Sequence, residues 1–81
     1  LRPAAAREYT ARLDFRGTLW VDGRAVSAAD LADLVRVARR QRADYVQVIT
    51  VERALRADEA RVAAALAALD VPAGAVRFVR P

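Results

Sequence analysis

Residues 45–51, with the sequence YVQVITV, carry the strongest structural signal in the chain. They form a nearly continuous run of apolar, mostly β-branched side chains, which is typical of a strand that is buried on both faces of a sheet. Buried strands of this kind are usually joined to parallel neighbours by helical crossovers. The run therefore predicts a central strand, and the segments on either side of it decide the rest of the architecture.

A helix is predicted just before this strand, from Ser27 to about Arg42. Ser27 is a good N-cap, and Asp30 would place a carboxylate near the positive end of the helix. Apolar residues recur at helical spacing along it: Leu31, Leu34, Val35 and Ala38. This stripe predicts that one side of the helix packs against the sheet.

A second helix and a last strand are predicted after the central strand. Asp58 is the expected cap of this helix, and its apolar positions are Val62, Ala65, Leu66 and Leu69. Most of its other positions are alanine, which favours a helix by propensity. Pro72 should stop the helix and Gly74 should turn the chain, so that residues 75–79 form the final strand.

A β-hairpin is predicted near the start of the chain. Residues 9–15 alternate apolar and polar side chains, and residues 18–22 form a second short strand after the turn at Gly17. The dipeptide Asp22-Gly23 is a strong hairpin signal, after which residues 24–26 are expected to be at most a short extended segment. Residues 1–8 have no clear period and are predicted to be a tail or linker.

These elements predict one domain over residues 9–81, in the order β-β-α-β-α-β. Strand–helix–strand units join parallel strands, so the fold class is α+β: a two-layer sandwich of a small mixed sheet with two helices on one face. The other face should carry Thr10, Arg12, Trp20 and Arg77. The predicted core consists of Leu13, Phe15, Leu31, Leu34, Val35, Val48, Val62, Leu66 and Leu69.

The composition excludes several classes of protein. The 81 residues contain no cysteine and no histidine, which rules out Ser–His and Cys–His nucleophiles and thiolate metal sites. No apolar run approaches the ~18 residues that a membrane-spanning helix needs. The acidic residues are scattered rather than convergent, as calcium or magnesium would require. We therefore expect no enzyme, no catalytic residue, no cofactor and no metal site.

The net charge of +4 invites a second hypothesis, a small arginine-rich α+β domain that binds nucleic acid. However, the 14 basic residues are all arginine, and lysine and asparagine are absent, as expected from a very GC-rich coding sequence. The acidic residues are also interspersed with the arginines. The strands lack the paired aromatic residues of an RNA-stacking sheet. Nucleic-acid binding therefore remains the alternative, and we do not expect it.

The order of elements and several short motifs resemble the periplasmic domain of the ExbD/TolR family of biopolymer transport proteins. The resemblance is carried by Gly17, Trp20, Gly23, Val26-Ser27 and Leu31 within residues 14–34 (DFRGTLWVDGRAVSAADLADL). Residues 46–52 (VQVITVE) are similar to the family's central strand, although that strand commonly ends in alanine-aspartate and this one ends in Val51-Glu52. The match extends from about Tyr9 to Val79.

The resemblance implies a non-catalytic periplasmic interaction domain of an inner-membrane protein that converts proton motive force into work. It also implies a homodimer, an ExbB/TolQ-like channel protein as partner of the full-length protein, and a TonB/TolA-like protein or peptidoglycan as a further partner. The family's membrane helix is absent from this chain. Because the chain starts at Leu1 and lacks methionine, we expect it to be a fragment.

Candidate binding residues follow from the predicted sheet and helix faces. Trp20, Arg77 and Phe78 are the expected partner-binding residues, since tryptophan is enriched at interface hot spots and open sheet edges accept extended segments. The candidate edges are residues 75–79 and the stretch around Tyr9. An alternative binding face on the first helix consists of Arg36, Arg39 and Arg40.

Overall fold

The computed structural model describes residues 7–80, in which a five-stranded mixed sheet carries both helices on one of its faces. The strands are β1 (Arg7–Leu13), β2 (Leu19–Val21), β3 (Arg24–Val26), β4 (Tyr45–Val51) and β5 (Val76–Val79). The helices are α1 (Ala28–Gln41) and α2 (Arg56–Ala68), and a 3-10 turn spans Ala73–Ala75. The strand order is β3-β2-β1-β4-β5, in which β1, β4 and β5 run parallel. The predicted two-layer α+β class is confirmed.

The segment after the second hairpin turn is a true strand rather than a loosely extended piece. β3 pairs antiparallel with all three residues of β2. The turn between them uses Asp22 (φ 50°) and Gly23 (φ 77°), and two successive positive φ values match the right-handed twist of the flanking strands. The order is therefore β-β-β-α-β-α-β, with one strand more than predicted.

β1 lies two residues earlier than the sequence pattern indicates. Arg7 and Glu8, expected in a tail, belong to β1, because they continue its parallel pairing with β4 as far as Tyr45. The rest of that tail, residues 1–6, and the last residue, 81, lie outside the described residues. At its other end β1 stops at Leu13, because Asp14 opens the turn.

β4 is the central strand, with the predicted bounds. Its residues alternate between the helix side, where Ile49 and Val51 are buried, and the opposite side, where Val48 is also buried. Six of the predicted core residues are buried: Leu13, Leu31, Val35, Val48, Val62 and Leu66. Leu69 is only partly buried and packs against the edge of this core.

Two predicted core residues are exposed instead. Phe15 is 62% exposed because it lies beyond the end of β1, in the hairpin turn. Leu34 is 37% exposed because it lies on the flank of α1 next to Tyr9 and Asp22, where the short β2–β3 hairpin has already turned. Both residues fit the apolar period of the predicted strand or helix, but no neighbouring element covers them fully.

The two helices begin differently. α1 has the predicted N-cap, because the Ser27 hydroxyl accepts the N–H of Asp30 at 3.0 Å and the Asp30 carboxylate accepts the N–H of Ser27. In α2, Asp58 is not the cap. The carbonyl of Leu55 already accepts the N–H groups of Asp58 and Glu59, so the helix begins at Arg56.

Candidate functional site

Backbone hydrogen bonds at the two ends of the β1–β4 ladder establish the direction of every peptide group in the sheet. The N–H of Arg7 donates to the carbonyl of Asp44 (3.1 Å), and the N–H of Glu52 donates to the carbonyl of Leu13 (2.8 Å). In a parallel ladder, alternate residues direct their N–H and C=O groups toward each neighbour. Even-numbered residues of β4 therefore bond to β1, and odd-numbered residues, such as Gln47, bond to β5.

The same alternation identifies the free groups of β5, which is an edge strand of the sheet. Because Gln47 lies opposite Val76 and Ile49 lies opposite Phe78, the peptide groups of Arg77 and Val79 point inward to β4. The N–H and C=O groups of Val76 and Phe78 point outward. These outward groups are the ones that an added strand would bond.

An apolar groove runs beside this free edge, between β5 and α2. We call it the α2–β5 groove. Its main section has a volume of about 380 Å³ and is lined by Ala63 and Ala67 of α2, Pro72 and Ala73 of the turn, and Val76 and Phe78 of β5. A second section of about 210 Å³ continues past Ala63 and Phe78 to Ala60, Arg56 and Glu59. The groove exists because this side of α2 carries alanine, whose methyl group leaves space next to the strand.

Phe78 and Arg77, both candidate partner-binding residues, lie on opposite faces of β5. Phe78 faces the helices and packs against the core, so that its partly exposed side chain forms a wall of the groove. Arg77 faces the open side of the sheet, where its guanidinium pairs with the Glu8 carboxylate. Of these two residues, only Phe78 belongs to the groove.

The third candidate, Trp20, lies on the open face of the sheet, as predicted, but is held by its own neighbours. Its indole N–H donates to the Asp14 carboxylate at 2.8 Å, and the Arg12 guanidinium lies 5.4 Å from its ring centroid. Arg12 also pairs with Glu52 at 3.5 Å. Trp20 thus covers the sheet, and the structure does not bring it together with Phe78.

The alternative arginine face on α1 is not a uniform surface. Arg36 donates to the carbonyl of Leu69 and pairs with Asp33, so it links the end of α2 to α1. Arg39 is partly buried, whereas Arg40 is exposed. Only part of this predicted face is therefore available to an anion.

Besides the outer strands β3 and β5, the sheet has an unpaired stretch in the first half of β1, around Tyr9. β1 is an interior strand that pairs with β4 along its whole length, but only Arg12 and Leu13 pair with β2. On that side the groups of Glu8 and Thr10 face a notch of about 390 Å³, in which Tyr9 is 38% exposed. Because this stretch is paired with β4 along its whole length, exchanging it between two copies of the chain would require breaking the β1–β4 ladder.

Gln47 is a buried polar residue that lines this notch, and the sequence pattern did not indicate it. Gln47 is 1% exposed; its amide accepts the hydroxyl of Tyr45 and donates to the carbonyl of Tyr9 at 2.9 Å. The rings of Tyr9 and Tyr45 stack at 4.6 Å, and burial raises the pKa of the Tyr45 hydroxyl. These hydrogen bonds explain how a glutamine is tolerated in the central strand.

The groove was also missed at the sequence level, although its signal is present. Ala60, Ala63 and Ala67 recur at helical spacing on one side of α2, but alanine in a sequence indicates only a favourable helix propensity.

Within residues 7–80 no group of three or more acidic residues is placed to hold a metal ion. Neither helix in this range has the length and apolar character that a bilayer span requires.

Comparisons with protein-family models, with curated proteins and with solved structures find no match to this chain.

Proposed function

We propose that this domain is a non-catalytic protein-interaction domain of an energy-transducing, ExbD/TolR-like membrane complex that is driven by proton motive force. In this proposal it acts by dimerisation and by docking a strand of a partner protein. The observation that carries the docking is the free edge of β5, with the outward peptide groups of Val76 and Phe78, beside an apolar groove.

Docking of this kind uses two independent sources of affinity. Main-chain hydrogen bonds to Val76 and Phe78 would align an extended segment with β5, whatever its sequence. Alternate side chains of that segment would point to the helix side, as Val76 and Phe78 do, and so enter the α2–β5 groove. The main-chain hydrogen bonds supply the strand pairing, and the side chains in the groove supply selectivity for the sequence of the docked segment.

The location and partners in this proposal follow from the resemblance to the ExbD/TolR family. It places the domain in the periplasm as part of an inner-membrane protein that works with an ExbB/TolQ-like channel, and it makes a TonB/TolA-like protein or peptidoglycan the further partner. Self-association is part of this proposal. Sedimentation from micromolar to millimolar protein tests it, because a chain that remains monomeric throughout would exclude dimerisation of these residues.

The nucleic-acid alternative makes a different prediction. Many of the arginines are already paired with carboxylates, including Arg12, Arg77 and Arg80, and Trp20, an aromatic residue on the open face, is covered by Arg12. A nucleic-acid domain would bind mixed RNA or DNA with an affinity that falls steeply with salt. We expect no such binding.

Peptide selection tests the docking site. Twelve-residue peptides displayed on phage would be selected against the domain and then assayed against Ala63→Glu and Ala64→Glu. Both alanines are exposed on α2, but only Ala63 lines the groove. The proposal requires that selected peptides lose binding to Ala63→Glu and keep it for Ala64→Glu. Equal binding to both variants would refute docking in the groove.

A further inference from the structure

The charges at the α2–β5 groove are unequally distributed along it. The main section is lined by apolar residues, whereas the second section is bordered by Arg56 and Glu59. The Glu59 carboxylate is already bound by the guanidinium of Arg80. Arg56 is exposed and takes part in none of the ion pairs formed within residues 7–80. One end of the groove therefore has an uncompensated positive charge.

The two sections of the groove adjoin each other, as alternate side chains of an extended chain do. They meet at Ala63 and Phe78, which line both. Side chains at positions i and i+2 of a strand lie on the same face, about 6.5–7 Å apart. One such pair would fill the two sections, and the apolar lining of the larger section favours bulky aliphatic groups over polar ones.

The direction of the docked segment decides where its charges lie. Antiparallel pairing is slightly more stable than parallel pairing. Since β5 runs from the Pro72 end of the groove toward Arg80, an antiparallel segment would enter at the end bordered by Arg56. Its residues before the two aliphatic positions would then lie near the Arg56 guanidinium.

We infer that the α2–β5 groove takes an extended protein segment in which an acidic residue precedes two bulky aliphatic residues at alternate positions. This inference rests on the proposed docking function and names its partner by chemistry. A second copy of this chain fits less well. The residues that precede Val76 and Phe78 in its own sequence, residues 72–75, include no acidic residue that could lie near Arg56. Its Val76 and Phe78 side chains also already pack against its own core.

Two synthetic peptides test the charge preference. The probes are acetyl-Thr-Glu-Thr-Leu-Thr-Val-Thr-amide and the same peptide with lysine in place of glutamate, titrated into the domain and followed by amide NMR shifts. We expect both to shift the amides of Ala63, Val76 and Phe78, and the acidic peptide to bind about threefold to tenfold more tightly, as solvent-exposed ion pairs allow. Arg56→Glu should reverse this preference, and Arg56→Gln should remove it.

Arg24→Glu provides the matched control. It changes the net charge as Arg56→Glu does, but on β3, at the opposite edge of the sheet, and should leave the preference intact. If Arg24→Glu has the same effect as Arg56→Glu, or if both peptides bind equally, the inference is wrong while docking in the groove stands. If neither peptide, and none of the phage-selected peptides, shifts the amides of Val76 and Phe78, the proposed function is wrong as well.

Discussion

The indole N–H of Trp20 donates to the carboxylate of Asp14 at 2.8 Å, across the turn that joins β1 to β2. The same carboxylate accepts the backbone N–H groups of Arg16 at 2.9 Å and Thr18 at 3.0 Å. One side chain thus closes the hairpin turn and orients the largest residue of the open face. This explains why Trp20 serves the domain's own structure rather than the groove on the other side of the sheet.

Asp14 should make stability depend on pH in the acid range. The hydrogen bond from Trp20, followed by that from the N–H of Thr18, lowers the pKa of Asp14 below its usual 3.8. The resulting stabilisation is complete above the unfolded-state pKa and is lost as the pH falls through the lower folded-state pKa. Asp14→Asn should therefore lower the melting temperature at pH 7 and have little effect well below pH 3.8.

The control for this prediction is the Trp20→Phe background. With the indole donor removed, Asp14→Asn should cost less at pH 7 than in the original protein, because the two residues are coupled. Thermal melts of the four proteins between pH 7 and pH 2 measure both effects. A difference between the original protein and Asp14→Asn that stays constant across this range would contradict the assignment.

Leu66 and Leu34 both fit the apolar period of their helices, but only Leu66 is buried, so the stabilities of their alanine variants show the effect of burial alone. Leu66 is 3% exposed, and Leu66→Ala should lower the free energy of unfolding by about 2–5 kcal/mol. Leu34 occupies an equally regular apolar position but is 37% exposed, so Leu34→Ala should cost less than about 1 kcal/mol. Urea denaturation gives both values. Similar losses at the two sites would mean that α1 packs differently.

Gln47 and Tyr45 should be energetically coupled. Gln47→Leu leaves the buried hydroxyl of Tyr45 without its acceptor, which should cost about 1–3 kcal/mol. In a Tyr45→Phe background the same change should cost at least about 0.5 kcal/mol less, because no hydroxyl remains to be satisfied. A double-mutant cycle from denaturant unfolding measures this difference, and strictly additive effects would exclude the hydrogen bond.

Amide hydrogen exchange should alternate along β5. The N–H groups of Arg77 and Val79 bond to β4 and should be protected, whereas those of Val76 and Phe78 face outward and should exchange rapidly. Arg77→Pro would for the same reason damage the β4–β5 ladder itself rather than only the free edge. Protection with the opposite alternation would show that Val76 and Phe78, rather than Arg77 and Val79, bond to β4.

Local signals in the sequence predicted much of the fold. The bounds of β4, the Ser27 cap and the position of β5 to within one residue all depend on neighbouring residues in the chain. The exposure of Phe15 and Leu34 could not be predicted in this way. Phe15 is exposed because β1 ends at Leu13 and the turn to β2 begins at Asp14. Leu34 is exposed because the short β2–β3 hairpin does not cover it. Both depend on which strand residues pair rather than on the apolar period.

The candidate site was predicted less well, for a similar reason. An open edge at the final strand was expected, and β5 is an edge strand. The groove beside it arises only when Ala63 and Ala67 lie against Phe78, and nothing in a run of alanines tells which side faces a strand. The inward direction of Arg77's peptide group likewise depends on the register with β4.

The interior position of β1 also has a consequence for how the domain is made. Tyr9 and Gln47 are neighbours in the sheet but 38 positions apart in the chain. During synthesis β1, β2 and β3 can form a meander early. The edge of β1 that later pairs with β4 over all seven residues stays unpaired until β4 has left the ribosome. At about 5–20 residues per second this interval lasts seconds. Until the β1–β4 ladder closes, this unpaired edge of β1 is open to pairing with other chains.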